Sequence, residues 1–200
     1  MTPKTQIVFI HGGDSFATKE ELYAALRKRV FNPYTLEQKK WRDWIKEQTT
    51  ETHEFFYLQM PNAWSADYTA WSIWFEKMIP YLRDGVILIG HSLGGGFLLR
   101  YLTENTVPVT IAQLHLVAPV VDDLDCPGVG EFHIDVRNWP GFQSVPQAVH
   151  LWHSTDDTLV PIHHSERFKV LYPNAELHTF TDRFHFLTET FPELLSVITL

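Results

Sequence analysis

Val86-Ile87-Leu88-Ile89-Gly90-His91-Ser92-Leu93-Gly94-Gly95-Gly96-Phe97-Leu98-Leu99 joins a short apolar run to a glycine-rich turn and then to a second apolar run. The first run suits a strand buried on both faces and the second a helix, so the G-x-S-x-G pattern Gly90–Gly94 falls between strand and helix. A serine hydroxyl is a weak nucleophile until it is lifted clear of its neighbours and a base takes its proton. A sharp strand-to-helix turn does the lifting, and small flanking residues let the backbone pack closely in a strained conformation. A plain glycine turn closing a parallel strand would use the same residues without any chemistry. A phosphate-binding loop does not fit, because no Gly-Lys-Ser/Thr follows and G-x-G-x-x-G is absent.

Five further runs read as strands around this one: Gln6 to Ile10, Phe55 to Met60, Thr110 to Val117, Ala148 to His153 and Ala175 to Phe180. Several are apolar without strict alternation, as expected of a parallel sheet covered by helices on both faces. Thr18 and Glu21 form a capping box for a first helix running to about Val30. Thr35 and Gln38 repeat that pattern ahead of the stripe Trp41, Trp44, Ile45, an extra helical piece before the second strand. Ser65 is the expected cap of a helix carrying Tyr68, Trp71, Trp74, Phe75, Met78 and Leu82 as core, which Pro80 ends or kinks. Helices are also expected after Ser92 through Tyr101, from Ser165 to Leu171, and from about Thr188. Pro119 to Pro146 is irregular, and residues 119–147 read as a short cap over the carboxyl edge of the sheet.

A chain of 200 residues is read as one domain, 1–200. Its net charge of -8 argues against nucleic acid or an anionic membrane as partner. Arg27-Lys28-Arg29 is better read as cations at a helix end. Cys126 is the single cysteine, so no intrachain disulfide forms, and no secretory signal or membrane span is legible. A cytoplasmic setting is the expectation, with a small-molecule substrate, no cofactor and no metal.

A nucleophilic serine needs a base, an orienting acid and an oxyanion hole at other strand ends. The fifth strand leads into His153-Ser154-Thr155-Asp156-Asp157-Thr158-Leu159-Val160-Pro161, and the sixth into Asp182-Arg183-Phe184-His185-Phe186. Ser92, Asp157 and His185 therefore stand in the order serine, acid, histidine, with His185 as base on a solvent-facing loop and Asp157 fixing its tautomer. Asp156 is read as support for the turn, and Asp122 and Asp123 compete for the acid's role from the end of the fourth strand. The expected oxyanion donors are the amides of Leu93 and Gly13, with Asp14 as alternative to Gly13. Gly13 is expected to let the backbone approach substrate. Trp64, Leu159 and Val160 could line a small acyl site. His163 and His164 open a helix and His178 alternates in a strand, all three read as structural.

Phe9-Ile10-His11-Gly12-Gly13, Gly90-His91-Ser92-Leu93-Gly94-Gly95, Asp157-x-x-Val160-Pro161 and Phe184-His185-Phe186 together resemble the α/β-hydrolase superfamily over most of the chain. Met60-Pro61-Asn62-Ala63-Trp64, followed by Tyr68 and Trp71, is similar to its small single-domain serine hydrolases of the retinoblastoma-binding protein type, from whose compact members the Trp41–Trp44 helix departs. The resemblance implies an α/β fold with a doubly wound parallel sheet of order 2-1-3-4-5-6. It leaves no room for an antiparallel pair before the first strand, and puts Gly13 and Ser92 at the topological switch. It also implies a serine hydrolase, with a small carboxyl ester as the expected substrate, an amidase or aminopeptidase as a second reading and a non-catalytic interaction module as a third. The retinoblastoma partner does not follow. Its pocket takes Leu-x-Cys-x-Glu, and Leu124-Asp125-Cys126-Pro127-Gly128 lacks the glutamate.

Overall fold

The computed structural model describes residues 3–35, 40–126 and 128–200. Six strands, β1 (Thr5–Ile10), β2 (His53–Leu58), β3 (Val86–His91), β4 (Ile111–Val117), β5 (Ala148–Ser154) and β6 (Glu176–Phe180), form one sheet in the order β2-β1-β3-β4-β5-β6. All five pairings are parallel. The sequence order reverses between β1 and β3, so their carboxyl ends flank a crevice open to ligands.

Side chains alternating along the strands feed two cores. Val8, Ile10, Leu88, Leu114, Leu116, Val149 and Leu151 face α3 (Tyr68–Glu76), α4 (Leu93–Glu104) and α5 (His163–Leu171), whose Trp71, Phe75, Phe97 and Phe168 are fully buried. Ile7, Phe9, Ile87, Ile89, Val117 and Trp152 face α2 (Trp41–Thr49) and α6 (Pro192–Ile198). Trp41 meets Phe9 edge-on at 5.3 Å and Phe191 at 5.5 Å, so the extra helix before β2 is the cover of this second face. By contrast α1 (Lys19–Lys28) buries no residue.

Thr18 caps α1, accepting from the Glu21 amide, and Glu21 answers the Ala17 amide one residue before the expected one. Gln38 lies outside the described residues, so its expected pairing with Thr35 does too, and α2 begins only at Trp41 behind a Lys40 cap. Asp67, not Ser65, caps α3, because its carboxylate reaches the Ala70 amide at 2.7 Å. That helix ends at Glu76 and gives way to a 3-10 turn, Ile79–Tyr81, holding Pro80, so Met78 and Leu82 fall beyond it and Trp74 stays exposed. The final helix starts at Pro192 instead of Thr188, since proline accepts the first helical position without losing a needed donor. Between β4 and β5 no helix or strand occurs among the described residues. This stretch is pinned to the loop after β1 by a Ser15–Val129 bridge and by the Ser15 amide donating to the Gly128 carbonyl.

Candidate active site

Ser92 follows β3 and precedes α4 with φ 55° and ψ -121°, a region that costs a non-glycine residue about 1–3 kcal/mol. Four backbone bonds hold it there. Its amide donates to Val117 at 2.8 Å, and its carbonyl accepts from Gly95, Gly96 and Val120. Gly90 must be glycine, because a Cβ there would stand 2.5 Å from the Gly94 carbonyl.

The loops after β5 and β6 bring the acid and base together. His185 Nδ1 donates to Asp157 Oδ2 at 2.7 Å, and Asp157 Oδ1 accepts from the Leu159 and Val160 amides at 2.9 and 3.0 Å. Burial alone would raise the Asp157 carboxyl. The hydrogen bond and charge of His185, with the two amides, outweigh burial and hold it below the ordinary carboxylate range. Asp156 takes the supporting role, accepting from Ser154 Oγ and from the Phe184 amide. Asp122 is engaged elsewhere: Arg167 grips both its oxygens at 2.5 and 2.7 Å. The loop carrying His185 faces solvent at Phe184 and Leu187, while His185 itself is only 7% exposed within it. Phe184 and Phe186 both have positive φ, 47° and 52°, so His185 sits between two strained residues. Phe186 anchors them, packing on Phe180 and Phe191.

Among the described residues, no hydrogen bond joins Ser92 Oγ to His185, although both line one cleft. The Leu93 amide opens α4 and the Gly13 amide follows β1, and neither has a hydrogen-bond partner among the described residues. Asp14 is excluded as a donor because its amide goes to the Ala63 carbonyl at 2.9 Å. The reason expected for glycine at position 13 is also corrected: a Cβ there would strike the Ala63 carbonyl, whereas a Cβ on Gly12 would stand 2.9 Å from Ser92 Cβ. Gly12 is thus the residue whose smallness serves the serine.

The cleft holds about 1280 Å³, and Trp64, Leu159 and Val160 all line it, Val160 buried and the other two exposed. Arg29 lies 4.4 Å over the Trp64 ring while pairing with Asp14 at 2.7 Å. Two histidines to which the sequence assigned no role complete the walls. His91 is pushed down to about 3, chiefly by burial and then by the His185 charge, so its neutral Nε2 donates to the His185 carbonyl at 3.0 Å. His11 accepts from the Met60 amide on Nε2, which leaves Nδ1 to donate to Gly12. Their signal was position alone: each adjoins a glycine motif. Among the described residues, no helix is long and apolar enough to cross a membrane.

The model of the serine hydrolase family matches residues 34–189, a span that includes Ser92, Asp157 and His185. Serine hydrolase RBBP9 of Rattus norvegicus is 26% identical over 162 residues, covering 79% of this chain and 84% of the relative. Among solved structures, the ydeN gene product of B. subtilis superposes with a TM-score of 0.74 at 20% identity, over 98% of this chain and 97% of the other. Alpha/beta hydrolase domain-containing protein 10 from mouse superposes with a TM-score of 0.65 at 15% identity, over 100% and 90%.

Proposed function

The chain belongs to the serine hydrolase family, and from that premise we propose that it cleaves a small carboxyl ester through an acyl-enzyme on Ser92. The observation that carries this reading is the 2.7 Å bond of His185 Nδ1 to Asp157, which fixes the ring and makes Nε2 the nitrogen available to act as a base. Nε2 takes the Ser92 proton as Oγ attacks the ester carbonyl. The resulting oxyanion is met by the amides of Leu93 and Gly13, dipoles already fixed by the fold. Collapse expels the alcohol, which receives the proton from His185. Water then repeats the sequence on the acyl-enzyme and releases the acid.

An alkoxide departs more readily than an amide nitrogen, which favours an ester over an amide as substrate. Leu159 and Trp64 offer apolar contact at its mouth, and Val120, Val129 and Val160 are buried deeper in its wall. The irregular segment between β4 and β5 is too short to bury a long lipid chain, which favours short acyl groups. We take 1–200 as a single domain acting on a small molecule, and the lone cysteine fits a cytoplasmic setting. A panel of esters graded by acyl length, each with its matched amide, tests the assignment on purified protein. Highest kcat/KM on short esters supports it; faster turnover of the amides overturns it.

A further inference from the structure

On the sheet face covered by α6, β5 and β6 place His150 directly opposite Glu176, with His178 diagonal to it. His150 Nδ1 lies 3.2 Å from His178 Nε2 and 3.4 Å from Glu176 Oε2, and His178 Nε2 lies 3.7 Å from Glu176 Oε1. One donor atom from each residue can be chosen so that all lie within 4.8 Å of one another. None of the three lines the Ser92 cleft.

We propose that His150, Glu176 and His178 bind one first-row divalent cation of the zinc type, tying the edge strand β6 to β5. Ligands set tetrahedrally about 2.0–2.1 Å from an ion stand roughly 3.3–3.4 Å apart, whereas adjacent octahedral positions at that length are about 3.0 Å apart. The 3.2 Å nitrogen–nitrogen separation lies nearer the tetrahedral edge, and the exposed Glu176 has one oxygen beside each ring to turn toward an ion between them. Two imidazoles and a carboxylate are the donor set that zinc accepts, with water in the fourth position.

The rings are held in place before any ion arrives. His150 stacks on His115 at 4.9 Å with planes 12° apart, and His178 stacks on Trp152 at 3.8 Å and 10°. His115 is itself locked, accepting from Trp152 Nε1 while its Nε2 donates to Gln113. Glu176 is the exposed, adjustable member, and its carboxylate straddles the two imidazoles. His150 Nδ1 and His178 Nε2 face each other at hydrogen-bond distance, so a cation entering between them takes the place of the shared proton. This role is a structural one, as expected of His178, with an ion as the partner that it holds. It is also independent of the ester chemistry, because the ion stands away from the reacting groups.

The test uses full-length protein stripped with chelator and titrated with Co2+, whose visible bands report four-coordination, and then with Zn2+ followed by equilibrium dialysis. One equivalent of tightly held metal with intense four-coordinate cobalt bands is expected for wild type and equally for His185→Ala. His178→Gln and the exposed change Glu176→Gln should each weaken binding by at least about tenfold. Zn2+ should raise the melting temperature of wild type and not that of His178→Gln. Absence of a bound equivalent, six-coordinate spectra, unchanged affinity in both variants, or loss in His185→Ala would overturn the proposal.

Discussion

Asp157 serves two loops at once: Oδ2 accepts from His185 Nδ1 at 2.7 Å, and Oδ1 closes its own turn on the Leu159 and Val160 amides. Asp157→Asn keeps the shape but loses the charge that stabilises an imidazolium and selects the tautomer. Steady-state kinetics on a short ester should show kcat reduced by about 10⁴-fold, with KM changed far less. Asp122→Asn should leave kcat within about twofold, because that carboxylate holds Arg167 and not His185.

Gly12→Ala should cost activity before stability. The new Cβ would press on Ser92 Cβ at 2.9 Å, and a displacement of the nucleophile by a fraction of an ångström is expected to lower kcat about 10²-fold. The same variant's urea midpoint should move little. Wild-type turnover in Gly12→Ala would show that the serine has room to spare.

Phe186→Ala removes a side chain that is 1% exposed and wedged against Phe180 and Phe191. A cavity of that kind costs about 3–5 kcal/mol, measurable by denaturant unfolding. The positive φ at Phe184 and Phe186 would also be released, so kcat should fall in the fraction that stays folded. Phe184→Gly, at a 61% exposed position of the same loop, should leave stability nearly unchanged, since glycine accepts that φ.

Acid should destabilise the fold early. Burial pushes His91 down to about 3 and His164 to about 4, and holds His115 well below the ordinary range. These rings stay neutral in the native state while their unfolded counterparts take up protons near pH 6.5, so stability is present above that pH and drains as pH falls toward the native values. Each contributes a slope of about 1.4 kcal/mol per pH unit inside its window. Urea midpoints measured from about pH 7 down to about pH 5 should decline steadily; a flat profile would mean that these histidines titrate normally.

The elements carrying Ser92, Asp157 and His185 were legible because apolar runs mark buried parallel strands and each strand's end is marked by Gly, Asp or Pro, whereas the strand order followed only from the resemblance to the α/β-hydrolase superfamily. Local competition was not legible. Ser65 and Asp67 are both good caps, and only the path of the chain into α3 decides for Asp67. Gly12 and Gly13 look equivalent in sequence, yet one packs on Ser92 and the other on Ala63. His91 and His11 act through backbone carbonyls and amides brought close only by the fold, which residue type and spacing do not encode. The His150–Glu176–His178 cluster depends on the register of β5 against β6, again invisible along the chain.

The proposed chemistry stands or falls on Ser92 acting as a nucleophile activated by His185. Intact-protein mass spectrometry after treatment with an active-site fluorophosphonate tests it most directly. One covalent adduct is expected, located on Ser92 by peptide mapping, absent in Ser92→Ala and slowed by orders of magnitude in His185→Ala. An unlabelled wild type of native circular dichroism, or an adduct that persists in Ser92→Ala, would contradict it.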